Sequence, residues 1–140
     1  MKTIYDKLKM EHDMVKDMMK ETMKTKDKAK FMDIQENLIP HLDGEEKFLY
    51  PLLMEKEHSK QLAYEALEEH EVVRELLSKI EREKEEIRWW AKFKVLMENL
   101  EHHIIEEERE LFAHAKKDLV KGEEEQILAD YDQFKGEAIA

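Results

Sequence analysis

His41-Leu42-Asp43-Gly44-Glu45-Glu46-Lys47-Phe48-Leu49-Tyr50 and His103-Ile104-Ile105-Glu106-Glu107-Glu108-Arg109-Glu110-Leu111-Phe112 are two versions of one unit. A second histidine unit precedes each: Glu11-His12-Asp13-Met14-Val15 before the first, Glu69-His70-Glu71-Val72-Val73 before the second. The chain therefore reads H…HxxxE…H…HxxxE, with His12, His41, Glu45, His70, His103 and Glu107 in register across two halves. A histidine and a glutamate four residues apart project from one helix face, about 6 Å apart along the axis. Four imidazoles and two carboxylates inside a helical bundle are a donor set for two metal ions. Each carboxylate can bridge through its two oxygens, and the mixture suits iron, manganese or zinc about 3.5–4 Å apart.

Hydrophobic periodicity places every one of these residues on an apolar stripe. Ile4, Leu8, His12, Val15 and Met19 share one helix face, and Phe31, Ile34, Leu38, His41, Glu45 and Leu49 another. Leu62, Ala66, His70, Val73, Leu77 and Ile80 form the third stripe, and Phe93, Leu96, Leu100, His103, Glu107 and Leu111 the fourth. Spacings of three and four residues, flanked by Lys and Glu, mark core-facing helices. His12 and His41 have their midpoint near Lys26, in the polar stretch Thr25-Lys26-Asp27. A turn there puts both at one level, roughly 20 Å away at 1.5 Å per residue. The same construction puts a second turn at Glu86-Ile87, although no Gly or Pro marks it. The middle connection falls near Glu57-His58-Ser59, with Ser59 as an N-cap. Pro40 is expected to kink the second helix or interrupt its hydrogen bonding, and Lys121-Gly122 to end the fourth. Ile127, Tyr131 and Phe134 give residues from about 123 to 138 a short apolar stripe, a fifth helix packed back on the core. The expectation is one all-α domain over 1–140: an up-down-up-down four-helix bundle at about 3–120 with a short C-terminal helix.

Composition narrows the function. At 140 residues, with 41% hydrophobic and 42% charged residues and three Gly, the chain can bury one core between amphipathic helices. A net charge of −11 argues against nucleic-acid binding; the lysines from Lys24 to Lys30 are broken by Asp27 and read as a solvated turn. The absence of cysteine excludes disulfides, thiolate metal sites and iron–sulfur clusters. No apolar run approaches a membrane span, and the N-terminus reaches Asp6 and Glu11 without a leader-like stretch. A soluble cytoplasmic protein with no membrane partner is expected.

A lone histidine on an apolar face is more often a satisfied core residue than a ligand. A buried glutamate without a partner is far less comfortable, because an uncompensated carboxylate in the core costs several kcal/mol. Two such glutamates at matching positions of a repeat favour metal. His114 lies three turns beyond His103, about 16 Å away, and is outside the site. His58 and His102 read as surface residues. Glu11 and Glu69, each just before a ligand histidine, read first as solvated helix face and second as carboxylates behind the imidazoles. Trp89, Trp90 and Phe93 are expected to close one end of the core, and the nine methionines to be packing residues.

With these residues in place, the chain resembles the hemerythrin-like family, the non-haem di-iron bundles called HHE cation-binding domains. The resemblance covers roughly residues 3 to 118 and is supported by Leu49-Tyr50-Pro51 and Leu111-Phe112 after the two HxxxE units. It implies two iron ions, one on His12 and His41 and the other on His70 and His103. Glu45 and Glu107 would bridge them together with an oxo or hydroxo group. It further implies a small ligand: O₂, NO or peroxide. The oxygen carriers of the family have another histidine four residues after the one matching His70; here that position is Arg74, and its repeat mate is Lys16. The four-histidine, two-glutamate set is similar to di-iron proteins that repair iron centres, whose cysteine-containing segment has no counterpart in this sequence. A di-iron peroxidase or NO reductase, and a sensor or iron-handling module acting through a partner protein, remain as alternatives; no partner motif is recognisable. A ferritin-like oxidase is disfavoured, because the one Glu-x-x-His match, Glu55 to His58, falls at a helix end.

Overall fold

The computed structural model describes residues 2–139, with side chains described as far as Gly136. A capping box opens α1 (Ile4–Thr25): the Thr3 hydroxyl accepts the Asp6 N–H, and the Asp6 carboxylate accepts the Thr3 N–H. Lys26 ends it in the left-handed region at φ 58°, donating its N–H to the Thr22 carbonyl. The chain turns there, as the midpoint of His12 and His41 predicts, and enters α2 (Lys30–Gly44). A π-helical turn (Glu45–Leu49) leads into α3 (Tyr50–Leu53). Then come α4 (Lys60–Arg82), α5 (Glu86–Glu106), a second π turn (Glu107–Leu111), α6 (Phe112–Asp118) and α7 (Lys121–Ile139). Among the described residues there is no strand. Within this helical bundle α1 packs on α2, α4 on α5, α1 on α5, and α7 on α1 and α2.

The core is two apolar clusters rather than one. Val15, Met19, Phe31, Ile34, Leu38, Leu42, Val73, Leu77, Ile80, Phe93, Leu96 and Leu100 fill one end. Ile4, Leu8, Leu49, Tyr50, Leu53, Ala63, Ala66, Leu111, Phe112 and Tyr131 fill the other. The histidines and glutamates of the repeat form a polar layer between them. Trp89 closes the first cluster as expected, packed edge-on to Phe31 at 5.6 Å and stacked on Phe93 at 5.5 Å.

Several boundaries differ from the sequence reading. The second hairpin turn lies at Glu83–Glu85, ahead of Glu86-Ile87. The midpoint rule assumes arms of equal length, whereas α5 overhangs the α1–α2 turn, where Lys28 pairs with Glu86 and Lys26 sits 4.6 Å over the Trp90 ring. The lysines of that turn are thus partly engaged. Ser59 occupies the N-cap position of α4 but makes no cap, because its hydroxyl donates to Asp118 instead, at 2.6 Å. Asp118 also accepts from His58, tying the middle connection to the end of α6. The break after the fourth helical arm comes at Leu119, which is extended, and Gly122 lies inside α7 with no left-handed conformation to supply. Pro40 is accommodated within α2. Met19 is buried, but Met10, Met14 and Met32 are exposed, so the methionines are not uniformly packing residues.

The C-terminal helix docks as anticipated, through Ile127 and Tyr131, with Phe134 edge-on to Phe48 at 5.6 Å. Gly44 makes this docking possible. A Cβ there would meet Tyr131 ring carbons, Cε2 and, at 2.8 Å, Cδ2. Gly44→Ala should therefore destabilise by about 1–3 kcal/mol, the range for overpacking a core. Gly122→Ala, with nothing near its added carbon, should be neutral or slightly stabilising. Urea unfolding midpoints measure both, and a Gly44→Ala midpoint at or above wild type would contradict the docking.

Candidate metal centre

All six repeat residues are inward-facing and no more than 3% exposed. The structure brings them together as two interlocked quartets: His12, His41, Glu45 and Glu107, and Glu45, His70, His103 and Glu107. The histidine pairs are near copies, with ring centroids 4.8 Å apart in each and interplanar angles of 61° for His12–His41 and 69° for His70–His103. Glu107 divides its oxygens between the halves, with Oε1 at 3.1 Å from His12 Nε2 and Oε2 at 3.6 Å from His103 Nε2. Glu45 Oε1 stands 3.1 Å from His41 Nε2 and 3.3 Å from His70 Nε2.

Each imidazole is held from behind. His12 Nδ1 donates to Glu108 at 2.8 Å and His41 Nδ1 to Glu11 at 2.8 Å; His70 Nδ1 donates to Glu46 at 2.7 Å and His103 Nδ1 to Glu69 at 2.7 Å. An ionised carboxylate only accepts, so these bonds place the ring hydrogen on Nδ1 and turn the Nε2 lone pair inward. Glu11 and Glu69 are therefore not plain solvated helix face; they take the second of the two roles weighed from the sequence. Glu46 and Glu108, directly after Glu45 and Glu107, take the same place behind His70 and His12, which the helical stripes do not reveal. The repeat carried the signal, since Glu11 with Glu69 and Glu46 with Glu108 recur at matching positions. Arg74 lies outside this ring, donating to Asp43 at 2.7 Å and Glu46 at 2.9 Å, so it steadies the carboxylate behind His70. Tyr131 and Lys135 of α7 do the same for Glu11.

Tyr50 is a further residue that the periodicity missed. The π turn is the reason: Tyr50 donates its N–H to the Glu45 carbonyl and Phe112 donates to Glu107, an i→i+5 bond that stacks residues five apart on one face. Leu49 and Leu111 keep their places in the core, and Tyr50 and Phe112 join them. The Tyr50 hydroxyl reaches Glu107 Oε2 and lies 3.1 Å from His70 Nε2. His58 and His102 are exposed, as anticipated, and His114 bonds the Glu110 carbonyl away from the site.

The inward atoms need a cation. His12 Nε2, His41 Nε2, both oxygens of Glu45 and Glu107 Oε1 are buried without a hydrogen-bond partner. Lone pairs facing one another across 3 Å in a dry core are costly unless something positive lies between. In the metal-free chain that role falls to protons. Burial pulls the His41 imidazolium down, but Glu45 and Glu11 outweigh it and raise its pKa to about 10. His70 is likewise pulled down by burial and pushed up more strongly by Glu45 and Glu46, to about 9. Burial pushes the Glu45 carboxyl up most strongly, yet the His41 charge and the hydrogen bonds from Glu107, His41 and His70 together outweigh it and hold it well below the usual range. Burial, then the Glu107 and Glu45 charges, hold the Tyr50 phenol well above its usual value. The spacings also suit a metal, because two donors about 2.1 Å from one ion and at right angles stand about 3.0 Å apart.

The profile of the hemerythrin HHE cation binding domain matches residues 3–115, and the chain belongs to this family. Neither the curated proteins nor the solved structures yielded a match. Family and geometry agree that the buried His/Glu cluster is one that could hold metal cations, typically iron. Among the described residues no helix is long and apolar enough to cross a membrane.

Proposed function

We propose that this is a cytoplasmic, non-haem di-iron protein that binds O₂, or NO or peroxide, in the core of an up-down-up-down four-helix bundle. His12 and His41 hold one ion, His70 and His103 the other, and Glu45 and Glu107 bridge them. The sharing of those two carboxylates between two histidine pairs is the observation that carries this reading. Bound ferrous ions would supply the electrons and coordination positions that attract such ligands. The protein supplies the rest. Glu11, Glu46, Glu69 and Glu108 hold each imidazole in the tautomer that points its lone pair inward. Beside His12, His41 and His103, a small cavity of about 10 Å³ is walled by Val15, Leu38, Leu42, Leu100 and Ile104. Such a space admits about one water-sized molecule, faced by aliphatic carbon on one side and by the histidines and Glu11 on the other. The two apolar clusters keep bulk water from the centre.

The test is stoichiometry. Protein reconstituted with Fe²⁺ under argon should hold two irons per chain by metal analysis, and its spectrum should change on adding O₂, NO or peroxide. Glu45→Ala or Glu107→Ala should leave at most one tightly held ion. Wild-type loading that stops at one iron or none would sink the two-metal reading.

A further inference from the structure

The two halves differ at one matched position. Five residues after each bridging-type glutamate, beyond a π turn in both halves, the first copy has Tyr50 and the second Phe112. Phe112 stacks on His12, with centroids 6.4 Å apart and planes 9° apart, and offers that quartet only carbon. Tyr50 lies against His70, centroid to centroid 5.1 Å, and puts an oxygen among the other quartet. That oxygen is 3.1 Å from His70 Nε2, while His103 Nε2 is 3.2 Å from the same nitrogen. Separations near 3.0 Å are those of neighbouring donors on one ion. The phenol oxygen also contacts Glu107 Oε2, so it borders the space enclosed by His70, His103 and the carboxylates.

Building on the two-ion reading above, we propose that Tyr50 Oη is a ligand of the ion held by His70 and His103. The two ion positions are then unequal. The Tyr50 position has five protein donors, counting His70, His103, Glu45 and Glu107; the His12/His41 position has four and is the one left open to a small ligand. The open position also borders the small cavity, whose lining includes both of its histidines and, of the other pair, His103 alone. Coordination breaks the phenol O–H bond: the oxygen lone pair goes to the ion and the proton leaves to solvent. No oxidant or reductant takes part in that step.

Vibrational and visible spectroscopy of the ferric protein decide the matter without an activity assay. The chain is loaded with Fe²⁺ under argon, oxidised with ferricyanide, and examined by absorption and resonance Raman. A ferric ion bound by a phenolate gives a phenolate-to-iron charge-transfer band and enhanced phenolate ring modes. The wild type should show both, and Tyr50→Phe, which keeps the ring in its packing site, should lose both. Phe112→Tyr should bring a second phenolate to the other ion and roughly double the band. It tests the same geometry should Tyr50→Phe not fold. A two-iron wild type without phenolate modes, or a band that survives in Tyr50→Phe, overturns the role of Tyr50 while leaving the two-ion reading intact. Fewer than two irons in the wild type fails that reading first, and the ligand role with it.

Discussion

Metal-free protein should lose stability as the pH rises from about 6.5 towards 10, while metal-loaded protein should not. His41 and His70 have folded pKa values raised to about 10 and about 9, against about 6.5 for an unfolded histidine. A group whose pKa is raised by folding contributes stability that is fully present below its unfolded pKa. That contribution is lost as pH climbs through the folded value. Between pH 6.5 and 10 the metal-free core thus gives up the protons that stand between its imidazoles and Glu45. The loss is on the order of several kcal/mol if both sites contribute. Glu45 works the opposite way: its depressed pKa gives stability above about 4.5 that is lost as pH falls through the folded value. The metal-free chain should accordingly be most stable at mildly acid pH. Metal ions take the same inward lone pairs that the protons hold, so loading releases protons, and the gap between loaded and metal-free forms should widen with pH. Thermal unfolding of both forms from pH 6 to pH 9.5 measures this. A metal-free Tm that stays level or rises over that interval would show that His41 and His70 are not the groups neutralising the core.

The six inward residues were legible because a histidine or glutamate on an apolar stripe is a local, one-helix fact, and the repeat shows it twice. The carboxylates behind them were legible only in part. Glu11 lies on α1 but serves His41 on α2, and Glu108 follows α5 but serves His12 on α1. Their role depends on which helices become neighbours, which a single helical wheel cannot display. Tyr50 was hidden for another reason. A 3.6-residue period carries the stripe from Glu45 to Leu49 and leaves Tyr50 about 100° further round, and only the wider π turn returns it to the core. Ser59 and Gly122 misled because cap preferences are local, while Ser59 is claimed by Asp118 across the fold. The second turn moved because nothing in Glu83-Lys84-Glu85 signals a break; the extended backbone at Glu83 and Glu85 makes it.

Removing the charge behind each imidazole should weaken metal binding in order of burial, with the number of ions unchanged. Glu11, Glu108, Glu46 and Glu69 have side chains 7%, 19%, 25% and 30% exposed, and each accepts one Nδ1–H. Carboxylates in this position raise the basicity of the inward nitrogen and hold the ring's orientation, and losing one typically costs 10–100-fold in affinity. Glutamine in their place keeps an acceptor oxygen and similar size but drops the charge. Glu11→Gln should lie near the top of that range. Its site is dry, and the same change removes the charge that Lys135 pairs with, 3.4 Å away, and weakens the acceptor oxygen that His41 shares with the Tyr131 hydroxyl. Glu69→Gln should lie near the bottom, because water reaches that carboxylate and can replace it. Glu46→Gln falls between, with Arg74 left holding Asp43. Competition against a chelator, with Zn²⁺ as a redox-silent probe, gives the affinities, and metal analysis gives the count. Two ions bound more weakly is the expected result for all four variants. Loss of one whole ion in any of them would make that residue a ligand, and equal losses irrespective of burial would mean that charge at a distance, rather than the Nδ1 bond, tunes the centre. The carboxylates proposed to bridge and those that orient the imidazoles are thereby separated by count and by affinity. That separation is also what distinguishes a built two-ion centre from an acidic core that attracts cations without ordering them.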